Sequence, residues 1–185
     1  MNILLTGVGG QGIVSASDII SDMAMNRGYD VKKSEIHGMS QRGGVVYSYV
    51  RYGEKVNSPI PHKDEIDYLV SFEEMEALRW SDYINPATIV FVSTKHIKPI
   101  TLTLSNKDYP EVQSVLNSPN IKYIDAETAA RNAGSQKFVS SVMAGALCAK
   151  LGFDEKEFRA SFEKRVGKFI EENVIAFNKG REMSA

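Results

Sequence analysis

Residues 2–12, Asn-Ile-Leu-Leu-Thr-Gly-Val-Gly-Gly-Gln-Gly, limit this chain more than any other stretch. A short apolar run, Ile3 to Leu5, ends in a glycine cluster, and an amphipathic segment follows. Gly7, Gly9 and Gly12 satisfy G-x-G-x-x-G, with Gly10 as an additional glycine. Glycine adopts positive φ and lets another backbone or a ligand come close. The helix behind such a loop turns unpaired N–H groups and the positive end of its dipole toward an anion. Strand, loop, helix is the order this motif requires.

The strand reads as Asn2–Thr6 and the helix as about Gly10 to Asn26, with Ile13, Ala16, Ile19, Ile20, Met23 and Ala24 on one face. Gly28 suits the left-handed stop of a helix. Tyr29–Ile36 reads as a second strand, which gives a βαβ unit expected to be right-handed and parallel. The pattern then changes. A polar, glycine-rich loop up to Gly44 leads not to a helix but to Val45–Tyr52, which alternates and is β-branched or aromatic. Gly53-Glu54 reads as a turn and Lys55–Ser58 as a returning strand, so a β-hairpin is expected as an insertion after strand two.

Asp67–Phe72 and Thr88–Ser93 read as buried strands, with a helix over Glu73–Tyr83 between them. Glu73, Glu74 and Glu76 read as a helix start and a solvated face. Ile100–Leu104 alternates threonine with apolar residues and reads as an edge strand, Tyr109–Leu116 as a short helix, and Ile121–Asp125 as the last strand. Ala126–Asn132 starts a helix, and from Lys137 onward the chain reads as helical. Asp154 and Glu157 form a capping box, Gly167 marks a break, and residues beyond Gly180 are expected to fray. Phe158, Phe162, Phe169 and Phe177 read as packing residues. Together these predict one α/β domain over residues 1–185. It has three layers, a Rossmann-like, mostly parallel sheet, the hairpin insertion and a helical C-terminus.

A net charge of −1 gives no reason to expect nucleic acid or an anionic membrane as a partner. No apolar run approaches the roughly 20 residues needed to cross a bilayer. The apolar start lacks the basic flank of a signal peptide, so a cytoplasmic protein is expected. The single cysteine, Cys148, excludes an internal disulfide or a cluster held by several cysteines of this chain, and its apolar surroundings predict an inert thiol. His37, His62 and His96 lack the spacing of a metal pair, so no metal site is expected. Ser40 and His37 have no acid placed to orient the histidine, and no catalytic residue is assigned.

The glycine loop has three readings. A nicotinamide site wants an acid at the end of strand two, and Glu35 has the spacing, but the chain then leaves the expected topology. A tight turn that packs helix one on strand one explains the same glycines, as does a different ligand. In open α/β sheets the loops at the carboxyl ends of strands line the ligand crevice. The first loop (Gly7, Gly9, Gly10, Gln11, Gly12) and the second (Glu35, His37, Gly38, Ser40, Gln41, Arg42, Gly43, Gly44) should therefore meet at one edge and face a ligand or partner. Arg42 between glycines suits a phosphate or carboxylate, or pairs with Glu35 inside the loop.

Gly7–Ile13, then Glu35–Gly44 ahead of Val50-Arg51, resembles the gamma family of 2-oxoacid:ferredoxin oxidoreductases, and within it the indolepyruvate branch. Ser58-Pro59, Asp67–Arg79 and Glu172-Asn173 with Ala176-Phe177 and Gly180 extend the likeness over nearly the whole chain. The resemblance implies oxidative decarboxylation of a 2-oxoacid, with coenzyme A as co-substrate. It places thiamine diphosphate, magnesium and [4Fe–4S] clusters on a larger partner subunit, through which ferredoxin is reached. One cysteine and no Gly-Asp-Gly run agree with a small subunit that carries no cofactor and is inactive alone, where it could pair with itself. Other readings stay open. The same kind of subunit could serve pyruvate, 2-oxoglutarate or branched-chain oxoacids; the chain could be a stand-alone nicotinamide- or flavin-linked reductase, or a non-enzymatic module that binds a small anion.

Overall fold

The first strand, β1 (Asn2–Val8), runs through the middle of a six-stranded sheet. Its apolar residues are therefore consecutive: Ile3 and Leu5 enter one layer and Leu4 the other, all fully buried. The computed structural model describes residues 1–38 and 44–184. The other strands are β2 (Asp30–His37), β3 (Val45–Gly53), β4 (Tyr68–Ser71), β5 (Ile89–Ser93) and β6 (Ile121–Ile124), in the order β2-β3-β1-β4-β5-β6. β1, β4, β5 and β6 pair in parallel, and β3 is antiparallel to both β1 and β2.

The hairpin is thus formed by β2 and β3 themselves, in register from Asp30 opposite Gly53 to His37 opposite Val46. β3 occupies the place beside β1 that strand two was expected to take. Lys55–Ser58 forms no strand. Side chains fix that loop instead: Asp30 Oδ2 accepts from the Val56 N–H at 2.9 Å, and Arg51 Nη1 donates to the carbonyls of Ser58 and Ile60.

Eight helices follow in chain order among the described residues: α1 (Ile13–Asn26), α2 (Glu74–Arg79), α3 (Ile100–Leu104), α4 (Val112–Val115), α5 (Ala126–Asn132), α6 (Val139–Leu151), α7 (Glu155–Arg165) and α8 (Ile170–Met183). One face of the sheet carries α1, α5, α6, α7 and α8, and the other carries α2 and α4, giving the three-layer α/β architecture. Ile100–Leu104 is a helix rather than an edge strand. Pro99 precedes its first turn, and the Thr103 and Ser105 hydroxyls bond back to the carbonyls of Pro99 and Thr101. β6 already occupies the place beside β5.

Residues 181–184 do not fray. α8 continues to Met183, and the Ser184 carbonyl accepts from Lys122 Nζ at 2.7 Å. Gly145 and Gly180 let α6 and α8 meet backbone to backbone. Cys148 lies within α6, fully buried, and burial pushes its thiol pKa far up, away from the reactive thiolate.

Asp154 and Glu157 cap α7 reciprocally, as expected. Glu157 also takes the Arg27 guanidinium, whose Nη2 donates to its Oε2 at 2.7 Å and to the Gly152 carbonyl at 2.6 Å. The hydrogen bond from Arg27, opposed by burial, holds the Glu157 carboxyl below its usual range. A depressed carboxylate stabilises the fold above its unfolded pKa of about 4.3, and that stability is lost as pH falls through the lower folded value. Arg27→Ala is expected to cost about 1 kcal/mol at pH 7. The deficit should shrink below about pH 4.3, as read from urea midpoints across that range.

Candidate functional site

α1 begins at Gly12, which is left-handed (φ +85°), and no side chain caps the helix. The first helical acceptor is the Gly12 carbonyl, bonded by the Ala16 N–H at 3.0 Å. The N–H groups of Ile13, Val14 and Ser15 therefore have no partner within the helix, and no acid lies in the first turn to offset the dipole. Gln11 fixes the loop from inside. Its Oε1 accepts the Val8 N–H at 2.7 Å and its Nε2 donates to the Phe72 carbonyl at 2.8 Å. A Cβ on Gly7 would lie 2.7 Å from that Oε1 and 2.8 Å from Phe72 Cβ, so only glycine fits there.

The two loops do meet. The Gly9 N–H donates to the Gly44 carbonyl at 2.8 Å, and the Gly38 N–H to the Val45 carbonyl at 2.9 Å. Ser40, Gln41, Arg42 and Gly43 lie outside the described residues. Two clefts flank the start of α1. One, of about 460 Å³, opens between the loops and is lined by Gly9, Gly10, Gly12, Ser15, His37 and Val46. The other, of about 280 Å³, lies at the carboxyl ends of β4 and β5, and its lining includes Gly12, Ser93, Lys95, Glu127, Lys137 and Ser140.

Glu35 does not sit where a ribose-binding acid would. β3 separates β2 from β1, so the end of strand two is one strand further from the glycine loop than that role needs. Its carboxylate is engaged by Lys33 and meets His37 Nε2 at 3.4 Å. Burial works to raise its pKa, but Lys33 and His37 outweigh it and hold the group below the usual carboxylate range. Lys33 also reaches Asp18 on α1. His62 caps the turn at Lys63–Glu65, and His96 Nε2 lies 3.1 Å from Glu74. No group of three or more His, Cys, Asp or Glu side chains that could hold a metal ion occurs among the described residues, and no helix there is long and apolar enough to cross a membrane.

Ser93, Lys95, Lys137 and Ser140 were not singled out in the sequence. Their signal is positional: Ser93 closes an apolar strand at its carboxyl end, where crevice residues belong. Phe91 packs in the α1–α6 layer and Val90 and Val92 in the opposite one, so alternation turns Ser93 toward the smaller cleft. Its hydroxyl is fully buried and without a hydrogen-bond partner. Lys95 Nζ bonds Glu127 at 2.7 Å on the same wall.

The family model described as pyruvate ferredoxin/flavodoxin oxidoreductase matches residues 2–183. Indolepyruvate oxidoreductase subunit IorB of Thermococcus kodakarensis is 35% identical, covering 97% of this chain and 93% of that protein. 2-Oxoglutarate synthase subunit KorC of Archaeoglobus fulgidus is 28% identical, covering 99% and 87%. The solved structure of pyruvate oxidoreductase subunit PORC from Thermotoga maritima superposes with a TM-score of 0.77 at 21% identity, over 98% of this chain and 95% of that one, and shares its fold. The chain belongs to the pyruvate ferredoxin/flavodoxin oxidoreductase family. It is a small subunit of an oxidoreductase that acts on 2-oxoacids with ferredoxin.

Proposed function

We propose that this chain is the cofactor-free small subunit of an indolepyruvate-type ferredoxin oxidoreductase, serving aryl pyruvates, and that its two joined loops complete the cleft for coenzyme A or the 2-oxoacid. The Gly9–Gly44 hydrogen bond carries this reading, because it brings both loops and the uncapped start of α1 to one rim of the sheet. Four IorB relatives at 35–37% identity, against 28% for KorC, favour an aryl substrate over 2-oxoglutarate.

Thiamine diphosphate with magnesium, and the [4Fe–4S] clusters, belong to a larger partner chain in this reading; when bound there they supply decarboxylation and single-electron transfer to ferredoxin. Cys148, buried and lone, cannot hold a cluster. This chain's part is to bind and orient. The free N–H groups at the start of α1, with Lys95, Lys137 and the Ser93 hydroxyl, offer donors and positive charge to a phosphate of coenzyme A.

Purification of the tagged chain from its host should bring down a brown, thiamine-containing polypeptide. That complex should reduce ferredoxin faster with indolepyruvate than with pyruvate or 2-oxoglutarate. Recovery of the chain alone would overturn the subunit reading, and faster turnover of 2-oxoglutarate would overturn the substrate. Gly12→Ala places a Cβ 2.9 Å from Ser140 Cβ on a left-handed backbone. It is expected to raise KM for coenzyme A about tenfold, the effect of about 1.4 kcal/mol. Adding Ser140→Gly should recover part of that loss, since it removes the obstruction but not the backbone strain. Arg42→Ala should also weaken coenzyme A use; unchanged assembly, turnover and coenzyme A dependence would remove the second loop from the site.

A further inference from the structure

Glu73 and Glu74 come just after β4, behind Phe72, and are almost fully buried, at 1% and 2% exposure. They are not on a solvated face. Glu73 caps α2, its Oε2 accepting the Glu76 N–H at 3.0 Å. Nearly everything else they bind lies in one segment, residues 95–113. Glu73 Oε1 accepts from the Ile97 N–H at 2.8 Å and from the Tyr109 hydroxyl at 2.5 Å. Glu74 Oε1 accepts from Gln113 Nε2 at 2.7 Å, and its Oε2 lies 3.1 Å from His96 Nε2. The Glu74 N–H donates to the Lys95 carbonyl at 3.1 Å. The His96 ring stacks on Tyr109 with centroids 4.4 Å apart.

Two adjacent carboxylates thus hold both ends of a strap. Between those ends α3 leaves Ile100 and Leu104 at 68% and 80% exposure, and Val112 is the strap's one fully buried apolar side chain. Apolar packing contributes little to holding it. Burying two carboxylates is costly, and an apolar contact would secure a merely structural loop at lower cost. What the strap carries is Lys95 and Ile97, both of which line the smaller cleft.

We infer that Glu73 and Glu74 are positioning residues, which place Lys95 and Ile97 in the cleft wall and so set the affinity for coenzyme A without touching it. This rests on the reading that the smaller cleft receives the co-substrate. A carboxylate suits the task because its two oxygens accept several bonds at once, whereas an amide keeps one acceptor oxygen.

The test uses the purified complex and steady-state kinetics. Glu74→Ala and Tyr109→Phe should each raise KM for coenzyme A about tenfold, equivalent to about 1.4 kcal/mol. The kcat and the KM for the 2-oxoacid should stay near their wild-type values. His96→Ala should act in the same direction, and His96→Gln should not, because its amide still donates to Glu74. Amide exchange at Ile97, slow in the wild type, should speed up in Tyr109→Phe and Glu73→Gln. Lys95→Ala separates the two readings. If it raises KM for coenzyme A while Glu74→Ala and Tyr109→Phe do not, the positioning role is overturned and the cleft stands. If Lys95→Ala leaves that KM unchanged, the cleft reading falls and the positioning role falls with it.

Discussion

Gly180→Ala is expected to lower stability by about 3 kcal/mol, the upper end for overpacking, because what it meets is backbone. The added Cβ would lie 1.9 Å from the Val142 carbonyl oxygen and 3.0 Å from the Ala146 nitrogen. A Cβ at Gly145 would lie 2.0 Å from the Phe177 carbonyl oxygen, so the close approach is built from both helices. No rotamer change relieves it. α6 and α8 would have to separate, which breaks the 2.7 Å bond from the Ser141 hydroxyl to Asn173 Oδ1. Gly53→Ala is the control: its Cβ would meet nothing within 4 Å. Its unfolding free energy in urea should stay within about 0.5 kcal/mol of wild type. Equal midpoints for the two variants would mean that α6 and α8 do not touch as described. α6 also brings Ser140 to the smaller cleft, so opening this pair should weaken the site as well as the fold.

Arg165→Ala is the second large effect. Asp22 sits on α1 at 4% exposure, and Arg165 at the end of α7 engages both of its oxygens while Nη1 reaches Asp18 Oδ2 at 3.1 Å. The hydrogen bond to Asp22, opposed by burial, raises the Arg165 pKa, so the guanidinium stays charged. Removing the guanidinium leaves a buried carboxylate without its counter-charge. The cost should be about 3 kcal/mol, the low end for a broken buried pair, because the Arg165 side chain keeps some solvent contact. Replacing both residues with leucine should restore most of the loss. Chemical denaturation of the two variants beside the wild type reads this out. A double variant no more stable than Arg165→Ala would mean that the deficit came from lost packing of the arginine stem.

Local patterns carried most of the fold. Residues 2–26 show strand, loop and helix within one stretch, and the Asp154–Glu157 box lies within four residues. The position of β3 was not legible. Alternation in Val45–Tyr52 states that a strand has two faces; it does not state which neighbours it takes. Insertion of β3 between β1 and β2 depends on pairing between residues as far apart as Asn2 and Arg51. Ile100–Leu104 misled for a related reason: residues at i and i+4 share a side in a helix as they do in a strand. In the site, both glycine loops were visible because each is continuous. Ser93, Lys95, Lys137 and Ser140 become neighbours only when the ends of two strands and the start of α6 close around α1. The carboxylates of Glu73 and Glu74 looked solvated because the segment that covers them comes 20 or more residues later.

The central place of β1 has a consequence for synthesis. Both of its neighbours are encoded downstream: β3 ends at Gly53 and β4 at Ser71. While a nascent chain leaves the ribosome at about 5–20 residues per second, the Ile3–Leu5 strip waits several seconds with no sheet to join. Ribosome-stalled fragments ending before Gly53 should therefore bind chaperones or aggregate, and those extended past Ser71 should resist protease at the N-terminus.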